Sequence, residues 1–333
     1  MIIKIKRKQL KQAGFVLFSV LAIFVALLGV SMVTESVFAG NTTNQTVRAK
    51  VNVSNTEPTL YKVKIEYPLN SLGNIDLQAG NATTVICNGS FSDPNGFADI
   101  IGVNATLFFS TVGSNAADDK NNHYTNASCL SSGQACTQIT GQANNGSCLC
   151  QFAVQYFANP GSWNCNMTIN DSGGLRSTID SGLVNVDEIL GITVESLSLD
   201  YGNLSVSQVS NPIRQNVTNA GNININVTLR GFGGDDETVG ENLTMICDPS
   251  VSLANITFGN QRFDTKNDTA FGNMFNLTNT TRQIFNLTIP QRTVDNSYGN
   301  SSNSTFWRLQ IPLGASGLCN GTIIFGAIDA VNK

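Results

Sequence analysis

Trp163-Asn164-Cys165-Asn166-Met167-Thr168 reads as a β-strand. With a side-chain period of two, Trp163, Cys165, Met167 and Ile169 share one face, and Asn164, Asn166, Thr168 and Asn170 share the other. The first face is core and the second meets water. Asn166 and Asn170 each open an Asn-x-Ser/Thr acceptor for N-linked glycan on the polar face, where a bulky hydrophilic adduct has room. The expectation is an exported, disulfide-bonded, glycosylated β protein.

The same pattern extends along the chain of 333 residues. Only 13% of residues are charged, about half the usual share, so polarity comes from neutral Asn, Ser, Thr and Gly. A net charge of −4, with no basic run after the extreme N-terminus, gives no electrostatic footprint for nucleic acid. The 41 Asn residues form 22 acceptor tripeptides, where chance placement would give roughly seven. Alternation alone makes some of them, because a strand's outer face written Asn-x-Thr is such a motif. Asn41, Asn44, Asn300 and Asn303, in turn-like runs, are outside that explanation. The candidate glycosylation positions are Asn88, Asn104, Asn126, Asn166, Asn226, Asn242 and Asn320.

The N-terminus carries Lys4, Lys6, Arg7, Lys8 and Lys11, followed by 21 uncharged residues from Ala13 to Val33. Basic flank and apolar length predict one N-terminal hydrophobic helix that places everything after Glu35 outside the membrane. Residues 13–33 would then tether the chain at the cell surface. Val37-Phe38-Ala39 before Gly40 also fits a signal cleavage site, which would instead release a secreted protein. Lys11-Gln12-Ala13-Gly14-Phe15 resembles a type IV prepilin processing site, with Ser19 where the usual Glu would stand. That resemblance implies a filament subunit assembled through the helix.

Residues 1–39 are therefore the signal or anchor segment, and 40–68 a glycosylated stalk ending in the strand of Tyr61, Val63, Ile65 and Tyr67. Residues 69–185 read as a β-sandwich: Val85, Cys87, Gly89 and Phe91 face in, as do Val103, Ala105, Leu107 and Phe109. Asp93-Pro94-Asn95-Gly96 between them is turn chemistry. Residues 186–333 read as a second sandwich, with Ile225, Val227 and Leu229 inward, then Leu243, Met245 and Cys247, then Cys319, Ile323 and Phe325. Here Asn224, Asn226 and Thr228 face out.

Cys87 and Cys165 on inward faces, 78 residues apart, with Trp163 two positions before the second cysteine, resemble an immunoglobulin-like domain. The antibody-type pattern has Tyr at that position and Trp in the third strand, where Phe109 is the nearest aromatic here. The whole layout is similar to small β-domains of archaeal-type N-glycosylated cell-surface proteins. The resemblance implies two tandem disulfide-clamped Ig-like sandwiches, the second clamp joining Cys247 to Cys319 across the sheets. Gly113–Gly146 reads as a long loop carrying Cys129 and Cys136, with Cys148 and Cys150 just beyond. Cys148 and Cys150 are too close on one strand to bond each other, so each takes Cys129 or Cys136.

Catalysis finds little support. His123 is the single histidine, in a polar stretch that predicts a solvated loop residue, and all eight cysteines have disulfide roles. Zinc has no ligand set for the same reason. Asp93, Asn95 and Asp99 space oxygen ligands partly as a calcium loop does, although Asn104 stands where the closing Glu would be. Gly234-Asp235-Asp236-Glu237 is an acidic turn. The sequence reading is a non-enzymatic surface module, structural or adhesive, that holds a stapled loop and a sugar coat away from the membrane. Its partners would be a surface protein, a glycan or another copy of itself. A secreted carbohydrate-binding protein is the other class, and it would need aromatics on an open face, for which Trp307 is the remaining Trp.

Overall fold

The computed structural model describes residues 46–69, 71–130, 136–293 and 299–331. The apolar stretch 13–33 and the cleavage motifs around Gly14 and Ala39 lie outside the described residues. Among the described residues, no helix is long and apolar enough to cross a membrane. Ser54–Lys333 packs as one compact unit, and it is all β with antiparallel pairing throughout its sheets.

The first nine strands are β1 (Thr59–Glu66), β2 (Ala82–Ser92), β3 (Ile100–Phe109), β4 (His123–Asn126), β5 (Cys136–Gln138), β6 (Asn145–Gln155), β7 (Gly161–Asp171), β8 (Arg176–Asp180) and β9 (Val184–Val186). One sheet runs β1-β2-β6-β5 and the other β4-β3-β7-β8, with β9 also pairing β7. On β7, Trp163, Cys165, Met167 and Ile169 are fully buried while the intervening residues are half-exposed. They pack with Val85, Cys87, Phe91 and Leu107 into one core. Each such side chain contributes about 1.5–3 kcal/mol by leaving water.

The region Gly113–Gly146 departs from the expected loop. His123–Asn126 pairs with β3, and Cys136–Gln138 adds an edge strand to β6. Tyr124 is buried in the core, its hydroxyl donating to the Lys120 carbonyl at 2.5 Å. The segment thus passes from one sheet's edge to the other's, and its polar composition reflects edge strands with one wet side rather than absence of structure.

The next ten strands are β10 (Ile192–Val194), β11 (Ile213–Asn219), β12 (Ile225–Gly233), β13 (Leu243–Cys247), β14 (Ile256–Thr257), β15 (Gln261–Asp264), β16 (Phe275–Asn276), β17 (Arg282–Ile289), β18 (Ser302–Leu309) and β19 (Cys319–Asp329). They form sheets ordered β10-β11-β18-β15-β16 and β14-β13-β19-β12-β17. Val217, Ile225, Val227, Leu229, Phe263, Ile289 and Trp307 fill the space between them. Cys247 and Cys319 are register partners on β13 and β19, so this disulfide joins neighbours within one sheet instead of clamping two. Both cysteines obey the inward alternation, which says nothing about whether the partner lies across the core or alongside.

Asn226 also departs from expectation. Both faces of β12 are covered, and Asn226 is 2% exposed with its Oδ1 accepting from Thr288 Oγ1 at 2.6 Å. An N-glycan does not fit there.

The two sandwiches meet through directed contacts. Asn222 Nδ2 donates to the Asp187 carbonyl at 2.9 Å, and its Oδ1 accepts from the Ile189 amide at 2.7 Å. Asn121 Nδ2 bridges the carbonyls of Phe157 and Arg292, and the Arg292 guanidinium lies 4.8 Å above the Phe157 ring. Gly221 permits a close approach here, because a Cβ there would stand 2.2 Å from the Ile189 carbonyl oxygen.

Candidate functional site

At one end of the first sandwich, the β2–β3 turn meets the β7–β8 hairpin, and three carboxylates converge there. Asp93 begins the turn Asp93-Pro94-Asn95-Gly96, whose Gly96 has φ 114 and whose Asn95 amide donates to Asp93 Oδ1 at 2.8 Å. Asp99 ends the short 3-10 turn Phe97–Asp99 just before β3. Asp171 closes β7, opposite Ile100 in the register. One oxygen from each of Asp93, Asp99 and Asp171 lies within 4.8 Å of the other two. Asp93 and Asp171 are completely buried and Asp99 is half-buried.

Their hydrogen bonds are unevenly spread. Asp171 Oδ1 accepts from the Leu175 amide and its Oδ2 from Asn55 Nδ2, each at 2.9 Å. Asp99 Oδ1 accepts from the Ser172 hydroxyl. Asp93 Oδ2 and Asp99 Oδ2 are buried with no donor. Burial pushes the Asp93 carboxyl above its usual range; the Asn95 amide opposes this, while the charges of Asp99 and Asp171 add to it. Of the sequence-derived set, Asp93 and Asp99 come together and Asn95 does not join them. Asn95 is exposed, and its Oδ1 accepts from the Thr56 amide at 2.8 Å. Asp171 takes its place. It lies 72 positions beyond Asp99, where no local spacing rule reaches; its one sequence signal is an acidic residue at the end of a core strand.

The other acidic stretch is different. Asp236 caps the single helical turn Glu237–Gly240, accepting from the Thr238 amide, and Glu237 pairs with Arg230. Asp236 and Glu237 thus have partners, and Asp235, Asp236 and Glu237 are all exposed.

The cysteine-rich region is knit three ways. Cys87 bonds Cys165 across the core, Cys129 bonds Cys150, and Cys136 bonds Cys148 between neighbouring strands β5 and β6. His123, expected in solvent, is 1% exposed and stacked on Phe108, its register partner across β3 and β4. Its Nδ1 lies 2.9 Å from Asp118 Oδ1 and its Nε2 3.1 Å from the Ser114 carbonyl oxygen. Both ring nitrogens face acceptors, so neither is placed to activate a nucleophile. At Asp118, burial would raise the carboxyl, yet hydrogen bonds from His123 and Thr125 outweigh it and hold the group below the usual range.

Acceptor asparagines vary in access. Asn104, Asn242 and Asn320 are exposed, while Asn88, Asn126 and Asn166 are half-buried with their amides donating to Glu66, the Gln151 carbonyl and Asp180. Trp163 and Trp307 are both fully buried, so neither offers an open platform for a sugar ring.

No family model matches the chain, and no curated protein matches it. Among solved structures, similarity extends to a chaperone and tip adhesin complex of CFA/I fimbriae biogenesis, at 10% identity and TM-score 0.28, over 78% of this chain and 79% of that one. It extends also to a carbohydrate-binding module of the β-sandwich superfamily, at 10% identity and TM-score 0.22, over 83% and 99%. A third is the C-terminal domain of the AgI/II polypeptide BspA of Streptococcus agalactiae, at 8% identity and TM-score 0.22, over 81% and 95%. At these scores the likenesses carry no argument about function.

Proposed function

We propose that the chain is a non-enzymatic surface glycoprotein of an oxidising, extracellular compartment, tethered by residues 13–33 and serving as a structural or adhesive module. The observation that carries this reading is the closure of all eight cysteines into four disulfides within an all-β body. Exposed acceptors such as Asn104, Asn242 and Asn320 support the sugar coat. The single histidine is committed to Asp118 and Ser114, which supports a non-catalytic role.

The first sandwich supports the immunoglobulin-like reading. Its sheets β1-β2-β6-β5 and β4-β3-β7-β8 follow the A-B-E-D and C′-C-F-G orders, and Cys87–Cys165 falls on the B and F strands. Phe109 and Trp163 meet edge to face beside it, at 6.0 Å. In the second sandwich β13 stands beside β19 and β17 beside β12, an order that departs from the immunoglobulin one.

Labelling intact cells with an impermeant reagent tests location, with the N-terminal peptide mass reporting whether the apolar segment is retained. Beads coated with the native protein test adhesion. Attachment no better than bare beads, to cells and to a glycan surface alike, would leave a purely structural role.

A further inference from the structure

We propose that Asp93, Asp99 and Asp171 bind one Ca2+ ion, which holds the β2–β3 turn onto the β7–β8 hairpin and with it the segment entering β1. The site is built from buried groups. Asp93 and Asp171 are completely buried, and Asp93 Oδ2 and Asp99 Oδ2 receive no hydrogen bond. Among the described residues, none of the three forms an ion pair with Lys or Arg. Buried carboxylates without a counter-ion are rare, because loss of water and mutual repulsion both oppose the charge; a bound cation removes both penalties.

The donor set is all oxygen and carries three formal charges, which suits a hard divalent ion. Ca2+ takes oxygens at about 2.3–2.6 Å, so two ligands on opposite sides of it stand roughly 4.6–5.2 Å apart. The carboxylate oxygens here lie within 4.8 Å of one another, a spread that one such ion spans without moving a strand. Mg2+, at about 2.0–2.1 Å and strictly octahedral, needs a tighter set.

The ion would also act at a distance of one contact. Asn55 Nδ2 donates to Asp171, and the Thr56 amide donates to Asn95 in the turn that begins at Asp93. Gly173 in the hairpin leaves room for this, since a Cβ there would stand 2.1 Å from Asn55 Nδ2. Fixing Asp93 and Asp171 therefore fixes Asn55 and Thr56, the residues through which the chain enters β1. The binding site stands independently of the adhesive reading; only its affinity class, about 0.1–1 mM, follows from an extracellular setting.

The test uses the full chain stripped with EDTA and desalted, with CaCl2 as probe. Calorimetry should give one Ca2+ per chain, and 10 mM CaCl2 should raise Tm by about 2–6 °C. Proteolysis near residues 54–58 should slow on adding the ion. Asp93→Asn keeps the acceptor for the Asn95 amide while removing charge, so it should raise Tm without calcium above the wild type's and abolish the calcium-dependent shift. Asp99→Asn, at the half-buried position, should weaken binding at least tenfold with the fold intact, and Asp235→Asn should change nothing. A wild-type Tm unmoved by 10 mM CaCl2 would overturn the site, as would binding that survives both Asp93→Asn and Asp99→Asn. An equal shift with MgCl2 would overturn the assignment to calcium.

Discussion

Cys87 and Cys150 face each other as register partners on β2 and β6, yet they are not bonded to each other. Cys87 crosses the core to Cys165, and Cys150 takes Cys129. Two buried disulfides thus meet in one core, where Cys87 and Cys150 stand opposite each other on neighbouring strands. Air oxidation of the fully reduced, unfolded protein should give scrambled species including Cys87–Cys150. Peptide mapping after refolding with and without a disulfide isomerase measures this.

The clamps should differ in strength. Bridging residues 78 apart constrains the unfolded chain more than bridging 21 or 12 apart. Removing Cys87–Cys165 as a double Ser variant should cost about 4–5 kcal/mol, against about 3 kcal/mol for Cys136–Cys148. Urea unfolding followed by Trp fluorescence compares them. Equal losses would show that local packing, and not loop closure, sets the contribution.

Asn226→Gln should leave the glycan mass of the native protein unchanged while costing about 1–3 kcal/mol, because a longer amide must fit a buried place and keep the Thr288 bond. Asn104→Gln, at an exposed acceptor, should do the reverse. Glycopeptide mass spectrometry with thermal unfolding separates the two; a glycan found on Asn226 would contradict its burial.

Gly221→Ala should weaken the contact between the sandwiches by about 1–3 kcal/mol, since the added carbon would collide with the backbone of Ile189, which packs against the first core. Calorimetric unfolding that splits from one transition into two is the expected result.

Asp118 gives a pH signature. Its carboxyl lies below the ordinary 3.8 in the fold, so the stability it contributes is present above that pH and fades as pH falls through the folded value. The Tm of wild type minus that of Asp118→Asn should be constant from about pH 5 to 6 and shrink towards pH 2. A flat difference would show that the carboxylate gains nothing from His123 and Thr125.

Much of the fold was legible because strand alternation is local. Trp163, Cys165, Met167 and Ile169 announce a buried face from their spacing alone, and the structure buries all four. The limit of that signal is visible at Asn226 and His123. An alternating strand marks two faces, but whether the second is wet depends on what packs over it, as Thr288 does over Asn226. His123 lies in a polar stretch with no alternation to mark it, and is covered by Phe108, Asp118 and Ser114 once β4 pairs with β3. The candidate cation cluster follows the same division. Asp93 and Asp99 lie six positions apart and share a turn, so they could be picked out together; Asn95 has the right chemistry but is turned towards Thr56.

The sequence by itself determined the β class, the inward cysteine faces and the oxidising chemistry, since each depends on residue type and a period of two. Tertiary structure alone decided which sheet neighbours each strand, and with it that Cys319 lies beside Cys247 in one sheet, that Cys129 takes Cys150, and that Asp171 completes the acidic cluster. Those outcomes depend on register and strand order among segments tens of residues apart. They are set by how two sheets share a core, which no local pattern encodes.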